Sequence, residues 1–270
     1  HQRFGTVRPI THKVGKFIVQ GNWEKAVLTF LCQSSPHEHP QSREAREQLQ
    51  VSQNFKEAQR YFPRTLYYER SMLGHLAKHP RDHVGAFRRL PPKLCKLFIQ
   101  AYQSFLFNRF LSQRIRMGIP SSKAQIGDYV VELDSHGLPT ASSTQVTVES
   151  LQSVQKAIDE NKMRIVIPLV GFKQYLSEGI QGEIEKEVLE TENLTTEVFK
   201  VSSVPQISAP GGLRTILTPI ISLSIEELCE DSVNPSKRVL GIGFMLHRGS
   251  YATVLLREFM KTRDLIKAGF

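Results

Sequence analysis

A short polar run near the end of the chain separates an apolar segment from an amphipathic one. The run is Arg248-Gly249-Ser250-Tyr251-Ala252-Thr253, and Arg257 follows one helical turn after its last residue. A glycine where a strand turns into a helix lets a ligand approach the backbone, and the free N–H groups of a first helical turn attract an anion. Tyr251 offers a flat ring on which a nucleic-acid base can stack. A capped helix with Arg257 in an ordinary ion pair gives the same pattern, so both interpretations stay open.

Two other groups of residues could carry chemistry. His75, His79 and His83 have the spacing of zinc ligands on one helix, but Pro80 interrupts that helix and no fourth ligand is near, so solvated histidines in a connector are favoured. The Gly241-Ile-Gly243 segment lacks the third glycine and the later acidic residue of a dinucleotide site. The sequence also contains no phosphate-binding loop, nucleophile elbow or His-Glu-x-x-His motif. Standard NTPase, hydrolase and metalloprotease functions are therefore disfavoured.

The positive charge is concentrated in the first half of the chain. Residues 1–126 contain 21 Lys and Arg against 7 Asp and Glu, a balance of +14, and residues 127–270 contain 14 against 19, a balance of −5. This polarity favours a polyanionic partner, with nucleic acid as the leading candidate. A basic, solvated surface without a ligand is the alternative.

Length and composition exclude several classes of protein. The chain has 270 residues, enough for two domains or one large one, with 40% hydrophobic and 23% charged residues, as in globular proteins. Its longest apolar stretches are too short to span a membrane. Cys32, Cys95 and Cys229 are too few and too far apart for a disulfide framework, which predicts a reducing, cytoplasmic setting. Because the chain begins with His1, we expect it to be part of a longer protein.

Apolar spacing and helix-capping residues predict the elements that position these groups. We expect a helix after Asn22, an exposed helix over 42–62 that stops at Pro63, a helix over 65–78 and a long buried helix over 93–117. Further helices are predicted over 150–161, 178–189 and 251–267, the last capped by Ser250. Strands are predicted over 128–133, 145–148, 164–170 and 239–246, the last two buried. The mixed order indicates an α+β fold.

Six segments resemble landmarks of the TruD-type tRNA pseudouridine synthase family. They occur in the order of that family and cover nearly the whole chain. The N-terminal Gln2-Arg3-Phe4-Gly5 is similar to the end of a longer family segment, and Gly249-Ser250-Tyr251-Ala252-Thr253 with Arg257-Glu258 is similar to the C-terminal signature. Between them lie Ala101-Tyr102-Gln103-Ser104-Phe105-Leu106-Phe107-Asn108, Gly127-Asp128, Ile167-Pro168-Leu169-Val170-Gly171-Phe172, and Gly211-Gly212-Leu213-Arg214.

The resemblance implies an isomerase that converts uridine in tRNA, at position 13 in the D arm, into pseudouridine without a metal or an organic cofactor. It implies an aspartate nucleophile and a target base extruded from its stack. Tyr251 takes the position of the family's aromatic residue at the flipped uridine, and Arg257 is the candidate partner of a phosphate or carboxylate. The RNA-binding residues implied are Arg3, Phe4, Gly249, Ser250, Tyr251, Thr253 and Arg257.

The sequence departs from the family pattern at the nucleophile. The family's aspartate lies in a Lys-Asp motif upstream of the Gln-Arg-Phe-Gly segment, so we expect it to precede His1 and nominate no aspartate of this chain. We therefore expect the chain to be the C-terminal part of the enzyme and inactive alone. The resemblance implies a catalytic core over 1–90 and 215–270 with an inserted α/β TRUD domain over 91–214.

Two functions of other classes stay open. One is a noncatalytic RNA-binding protein that has the same fold without the chemistry. The other is a protein-interaction scaffold whose basic half docks an acidic partner. The salt dependence of tRNA binding separates the scaffold from both RNA-binding functions, because phosphate contacts weaken steeply with salt.

Overall fold

A computed structural model describes residues 4, 5, 7–247 and 249–268. The fold is α+β, and no helix within these ranges is long and apolar enough to cross a membrane. The helices are α1 (Thr11–Val19), α2 (Trp23–Cys32), α3 (Pro40–Ser52), α4 (Phe55–Tyr61), α5 (Tyr67–Leu76), α6 (His83–Phe87), α7 (Pro92–Arg116), α8 (Leu151–Asp159), α9 (Gly179–Thr191) and α10 (Ala252–Met260). Short 3₁₀ turns cover Thr196–Phe199 and Pro205–Ile207.

The strands form one four-stranded sheet and two small hairpin-like pairs. Their bounds are β1 (Tyr129–Leu133), β2 (Pro139–Gln145), β3 (Met163–Leu169), β4 (Gly212–Thr215), β5 (Ile221–Ile225), β6 (Cys229–Glu230), β7 (Arg238–Val239) and β8 (Ile242–Met245). The main sheet has the order β2-β1-β3-β4 with antiparallel neighbours, and β5 pairs with β8 and β6 with β7. The interior position of β3 confirms the prediction from its apolar run.

Helices α1 and α7 cross at the centre of the main core. Gly15 of α1 lies so close to α7 that an added Cβ would stand 2.1 Å from the carbonyl oxygen of Phe98. Val14 and Ile18 on α1 and Phe98 on α7 are almost fully buried there. The absence of a side chain at Gly15 therefore sets the distance between the two helices.

One buried core includes residues from 10 to 209, on both sides of the predicted boundary at residues 90 and 91. Phe87 before that boundary and Phe98 after it have ring centroids 5.8 Å apart. The predicted three-part division stays a prediction.

A smaller core lies between α8 and one face of the main sheet. Val130 and Ile165 are paired on neighbouring strands and pack with Val154 of α8. Side chains alternate between the two faces of a strand, so Val131 and Arg164 belong to the opposite face. The sheet thus has one face closed by α8 and another that remains available for a site.

The predicted exposed helix over 42–62 is wrong in continuity and burial. Gln53 adopts a left-handed conformation with φ 49°, which ends α3, and the side chain of Asn54 accepts the N–H of Glu57 to begin α4. Arg46 and Leu49 on α3 are buried. The polar composition concealed a buried ion-paired arginine, which sequence spacing alone does not reveal.

The second strand of the main sheet lies earlier than the predicted 145–148. A tight turn follows β1, in which the Asp134 carboxylate accepts the N–H groups of His136 and Leu138 at 2.9 and 2.8 Å. The chain therefore reverses at once, and β2 begins at Pro139. The polar sequence of β2 gave no strand signal.

The C-terminal elements differ from two predictions. The predicted buried strand over 239–246 is wrong, because β7 is exposed and β8 is half-buried; beyond Ala209 none of the described residues is buried. Ser250 does not cap α10. The residue before the helix is Tyr251, without a capping side-chain hydrogen bond, and the Ser250 N–H instead donates to the carbonyl of His247. The helix ends at Met260 because Lys261 is left-handed, with φ 47°.

Candidate functional site

A cavity of about 960 Å³ lies between the open face of the main sheet, α7 and the segment 246–258. Val131, Arg164 and Val166 contribute to its sheet wall, and Phe107 and Leu111 to its α7 wall. This volume is within the range of sites that hold small molecules or single nucleotides, about 300–1,000 Å³. A second, more open depression beside α8 contains none of the residues predicted for the site. The first cavity is therefore the candidate site.

One face of α10 closes the cavity. Tyr251, Val254, Leu255 and Glu258 line it, and their i, i+3, i+4, i+7 spacing places them on one side of the helix. Tyr251 precedes the helix in an extended conformation and is 37% exposed, so part of its ring is available to a ligand.

The turn before α10 supplies backbone to the same cavity. Gly249 has φ +92°, a left-handed conformation that favours glycine, and both Gly249 and Ser250 are in the lining. The structure therefore brings Gly249, Ser250 and Tyr251 together at one cavity, as their adjacency in the sequence predicts.

Thr253 and Arg257 do not line the cavity, although both are half-buried on α10. Their positions in the helix turn them away from the face that carries Tyr251 and Leu255. Their predicted contacts with RNA stay a prediction for the surface beside the cavity. Arg248, the first residue of the polar run, lies outside the described residues.

Phe4 lies apart from the cavity. Its ring is 4.7 Å from the ring of His12 and 6.3 Å from that of Phe105, measured between centroids. Phe105 and the cavity-lining Phe107 are two residues apart on α7 and so face nearly opposite sides of the helix. The structure therefore does not bring Phe4 to Tyr251, and Arg3 lies outside the described residues.

Three basic side chains in the cavity lining were missed by sequence reasoning as site residues: Arg164, Arg214 and His247. The Arg214 guanidinium carbon lies 5.5 Å from the centre of the Phe107 ring, a cation–π arrangement. Burial lowers the pKa of Arg164. An arginine inside the otherwise apolar strand β3 is the signal that could have indicated Arg164.

Glu258 is the acidic member of the described lining. Its carboxylate pairs with Lys261 at 2.5 Å, and the hydrogen bond from Lys261 lowers the pKa of Glu258. The described part of the cavity is therefore apolar with an excess of positive charge, which suits a ligand that combines a flat ring with anionic groups.

The histidines of the connector take part in local contacts. The His75 ring nitrogens lie 2.8 Å from the Asp82 carboxylate and 3.2 Å from the Arg89 guanidinium. The neighbouring Arg88 donates to the carbonyl of Ser203 at 2.6 Å. Over the part of the chain that the structure describes, no three His, Cys, Asp or Glu side chains are grouped as metal ligands.

Comparison with protein families gives one match along nearly the whole chain. The family described as "tRNA pseudouridine synthase D (TruD)" matches residues 1–259. A protein of Methanosarcina acetivorans named "Probable tRNA pseudouridine synthase D" is 39% identical over 268 residues, which are 98% of this chain and 60% of that protein. A protein of the same name from Methanopyrus kandleri is 43% identical over 260 residues, 96% of this chain and 56% of that protein.

A solved structure agrees with these matches. The crystal structure of a putative tRNA pseudouridine synthase D from Methanosarcina mazei superposes with a TM-score of 0.90 at 38% identity, over 98% of this chain and 60% of that one. The chain thus spans about 60% of the length of these relatives.

Proposed function

The chain belongs to the tRNA pseudouridine synthase D (TruD) family, and from this membership we propose that the protein isomerises uridine in tRNA to pseudouridine. The resemblance of its motifs points to position 13 in the D arm as the target. The observation that carries the proposal is the cavity beneath Tyr251, lined by the Gly249–Tyr251 segment that resembles the family's C-terminal signature.

The cavity supports this function through its shape and its mixture of side chains. An enzyme that rearranges a base must take the nucleotide out of its stack and hold it in a pocket. Tyr251 supplies an exposed aromatic ring, while Val254 and Leu255 supply an apolar wall for the rest of the base. Arg164 and Arg214 supply positive charge in the cavity lining, which suits the phosphates of an RNA backbone.

The reaction breaks the bond between N1 of uracil and C1′ of ribose and forms a bond between C5 and C1′. N1 gains a proton, and C5 loses the hydrogen that it carried. In this scheme Tyr251 holds the uracil ring while it turns between the two attachments. No oxidation or reduction occurs, so the isomerisation requires no redox partner.

The nucleophile is the part of the mechanism that the described cavity does not supply. Glu258 is the acidic residue of its described lining, and Lys261 already pairs with that carboxylate. The expectations that an aspartate upstream of His1 attacks the nucleotide, and that the chain is inactive without it, stay predictions.

The test is release of tritium from tRNA that carries 5-tritiated uridine, with binding of the same tRNA measured alongside. Tritium release accompanied by tight binding supports the proposal. Binding without release, in the protein as expressed from its gene, would favour the noncatalytic RNA-binding alternative. Absence of tRNA binding would remove both RNA functions and leave the interaction scaffold.

A further inference from the structure

Arg164 is a half-buried arginine of the cavity wall without a charged partner among the residues that the structure describes. It lies on β3, opposite Val131 of β1, and its side chain lines the cavity. Among the described residues it has no hydrogen bond and no ion pair. Burial lowers the pKa of Arg164, and no neighbouring charge raises it again.

The buried arginines elsewhere in the described chain are all paired with carboxylates. Arg46 contacts Glu38 at 2.9 Å and Glu69 at 2.6 Å, and Arg114 contacts Asp128 at 2.7 Å. Such pairing is the rule, because a desolvated charge without a partner costs free energy. Arg164 is half-buried, its pKa is lowered by burial, and none of the described carboxylates pairs with it, which points to a partner that binds from outside the folded chain.

Nearby acids do not serve as that partner. Glu258 lines the same cavity but pairs with Lys261. Asp134, at the end of β1, accepts two backbone N–H groups from the turn that follows it. An anionic ligand that enters the cavity would therefore give Arg164 the charged partner that these acids do not supply.

Arg164 and His247 both lie near Gly137 in the β1–β2 turn. A Cβ built on Gly137 would stand 3.6 Å from His247 Cε1 and 3.9 Å from Arg164 Nη2, so both side chains reach the same small volume. Together they present N–H donors at one end of a cavity whose α10 wall carries Tyr251.

We propose that Arg164 binds an RNA phosphate group next to the nucleotide whose base contacts Tyr251, with His247 beside it. A guanidinium group suits a phosphate because two parallel N–H groups can donate to two oxygens. The identity of the ligand as RNA rests on the proposed function. The anion site itself rests on the geometry alone.

The test compares Arg164→Gln with Arg238→Gln, in which an exposed arginine of β7 loses the same charge. Arg164→Gln should weaken tRNA binding roughly tenfold and reduce the slope of log K against log salt by about one unit. Arg238→Gln should change neither quantity appreciably. Arg164→Lys should have an intermediate affinity, because it keeps the charge and loses the paired donors.

Thermal unfolding provides the second readout. Because Arg164 has no partner among the described residues, Arg164→Gln should leave Tm unchanged or raise it. Inorganic phosphate should raise the Tm of the wild type and of Arg238→Gln more than that of Arg164→Gln. This phosphate measurement tests the anion site even if tRNA does not bind, in which case only the RNA assignment and the proposed function fail.

Two results would overturn the inference. One is wild-type tRNA affinity of Arg164→Gln together with an equal effect of phosphate on all three proteins. The other is a large fall in the Tm of Arg164→Gln with unchanged tRNA affinity, which would indicate that Arg164 pairs with a carboxylate of the protein.

Discussion

At the scale of single residues, charges inside this protein fall into two groups. Arg114 and Asp128 form a pair without solvent exposure, and Gln181 adds a hydrogen bond to Arg114 at 3.0 Å. Such a pair holds α7, the start of β1 and α9 together, because removal of one partner leaves the other as an unpaired buried charge. Charges of the second group, such as Arg164, lie at a cavity and are accessible there. The first group stabilises the fold, and the second is available to a ligand.

Tyr251 should matter through its ring. In the complete enzyme, Tyr251→Ala should reduce kcat/KM at least about tenfold, because a stacking contact with a base contributes about 1–3 kcal/mol. Tyr251→Phe should keep most of the activity. The assay is tritium release from tRNA, with a melting curve for each variant.

Phe259→Ala is the matched control for Tyr251→Ala. Phe259 lies on the same helix with 39% exposure, against 37% for Tyr251, and does not line the cavity. It should retain near-normal activity. A well-folded Tyr251→Ala protein with normal activity would remove Tyr251 from the site.

Glu185 should make stability depend on pH. Burial raises its pKa from 4.5 to about 7, although the Ser177 N–H and hydroxyl and the Gln181 amide all donate to its carboxylate. The folded-state pKa of Glu185 lies above the unfolded-state pKa. The contribution of Glu185 to the free energy of unfolding is therefore complete below about pH 4.5 and is lost as pH rises through about 7. The loss should reach about 3 kcal/mol.

The measurement is urea unfolding between pH 5 and 8 for the wild type and Glu185→Gln. Burial of His12 has the opposite effect, because it lowers the pKa of this base from 6.5 to about 4 and so stability rises with pH over that range. The difference between the two proteins isolates Glu185. Parallel stability curves for wild type and variant would show that Glu185 is not the buried titrating group.

At the scale of elements, local signals predicted the parts of the fold that such signals control. Asn22 caps α2, and Pro91 precedes a 25-residue helix that begins with Pro92, so the starts of α2 and α7 were readable. Helix α1 was missed, because Ile10 provides no capping side chain and Gly15 interrupts the helical pattern. Its stability comes from packing on α7, which local sequence does not encode.

The candidate site was predicted only in part, because local sequence signals reveal adjacent residues and not residues that tertiary packing brings together. Gly249, Ser250 and Tyr251 are adjacent in sequence, so one motif locates all three. Arg164 and Phe107 reach the cavity only because β3 and α7 pack beside α10 in space. The predicted cap at Ser250 was wrong by one residue. A serine before an apolar run resembles a helix cap whether the helix begins at Tyr251 or, as observed, at Ala252.

Gly15→Ala tests the crossing of α1 and α7. The added methyl group would meet the Phe98 carbonyl at 2.1 Å, so the helices must separate, and stability should fall by about 2 kcal/mol or more. Gly74→Ala in α5 is the matched control, because its Cβ would lie 3.1 Å from the end of the Gln59 side chain, which can move. That change should stay within about 1 kcal/mol of the wild type. Equal denaturation midpoints for the two variants would contradict the close crossing.

At the scale of the whole molecule, charge and cavity lie in different parts of the chain. The balance of +14 over residues 1–126 is carried mostly by helices α1–α7, whereas the cavity is built by α7, the sheet and α10. With a tRNA substrate, this arrangement would assign attraction of the RNA and binding of the target nucleotide to different parts of the protein. A broad basic surface attracts the phosphate backbone, and a smaller cavity holds the reacting nucleotide.

The connector arginines test the basic surface. Replacement of Arg81, Arg88 and Arg89 by Glu should weaken binding of all tRNAs similarly and flatten the salt slope by up to about three units. Arg88 and Arg89 each use a guanidinium N–H within the protein, at Ser203 and His75, and retain other donors for phosphate. An unchanged slope in the folded triple variant would exclude these residues from the tRNA-binding surface.

The proposed isomerisation is tested by mapping pseudouridine in an unmodified tRNA transcript after incubation with the protein as expressed from its gene. We predict one new pseudouridine in the D arm, at position 13, and none in a transcript with cytidine at that position. A transcript that is bound but contains no pseudouridine would contradict it.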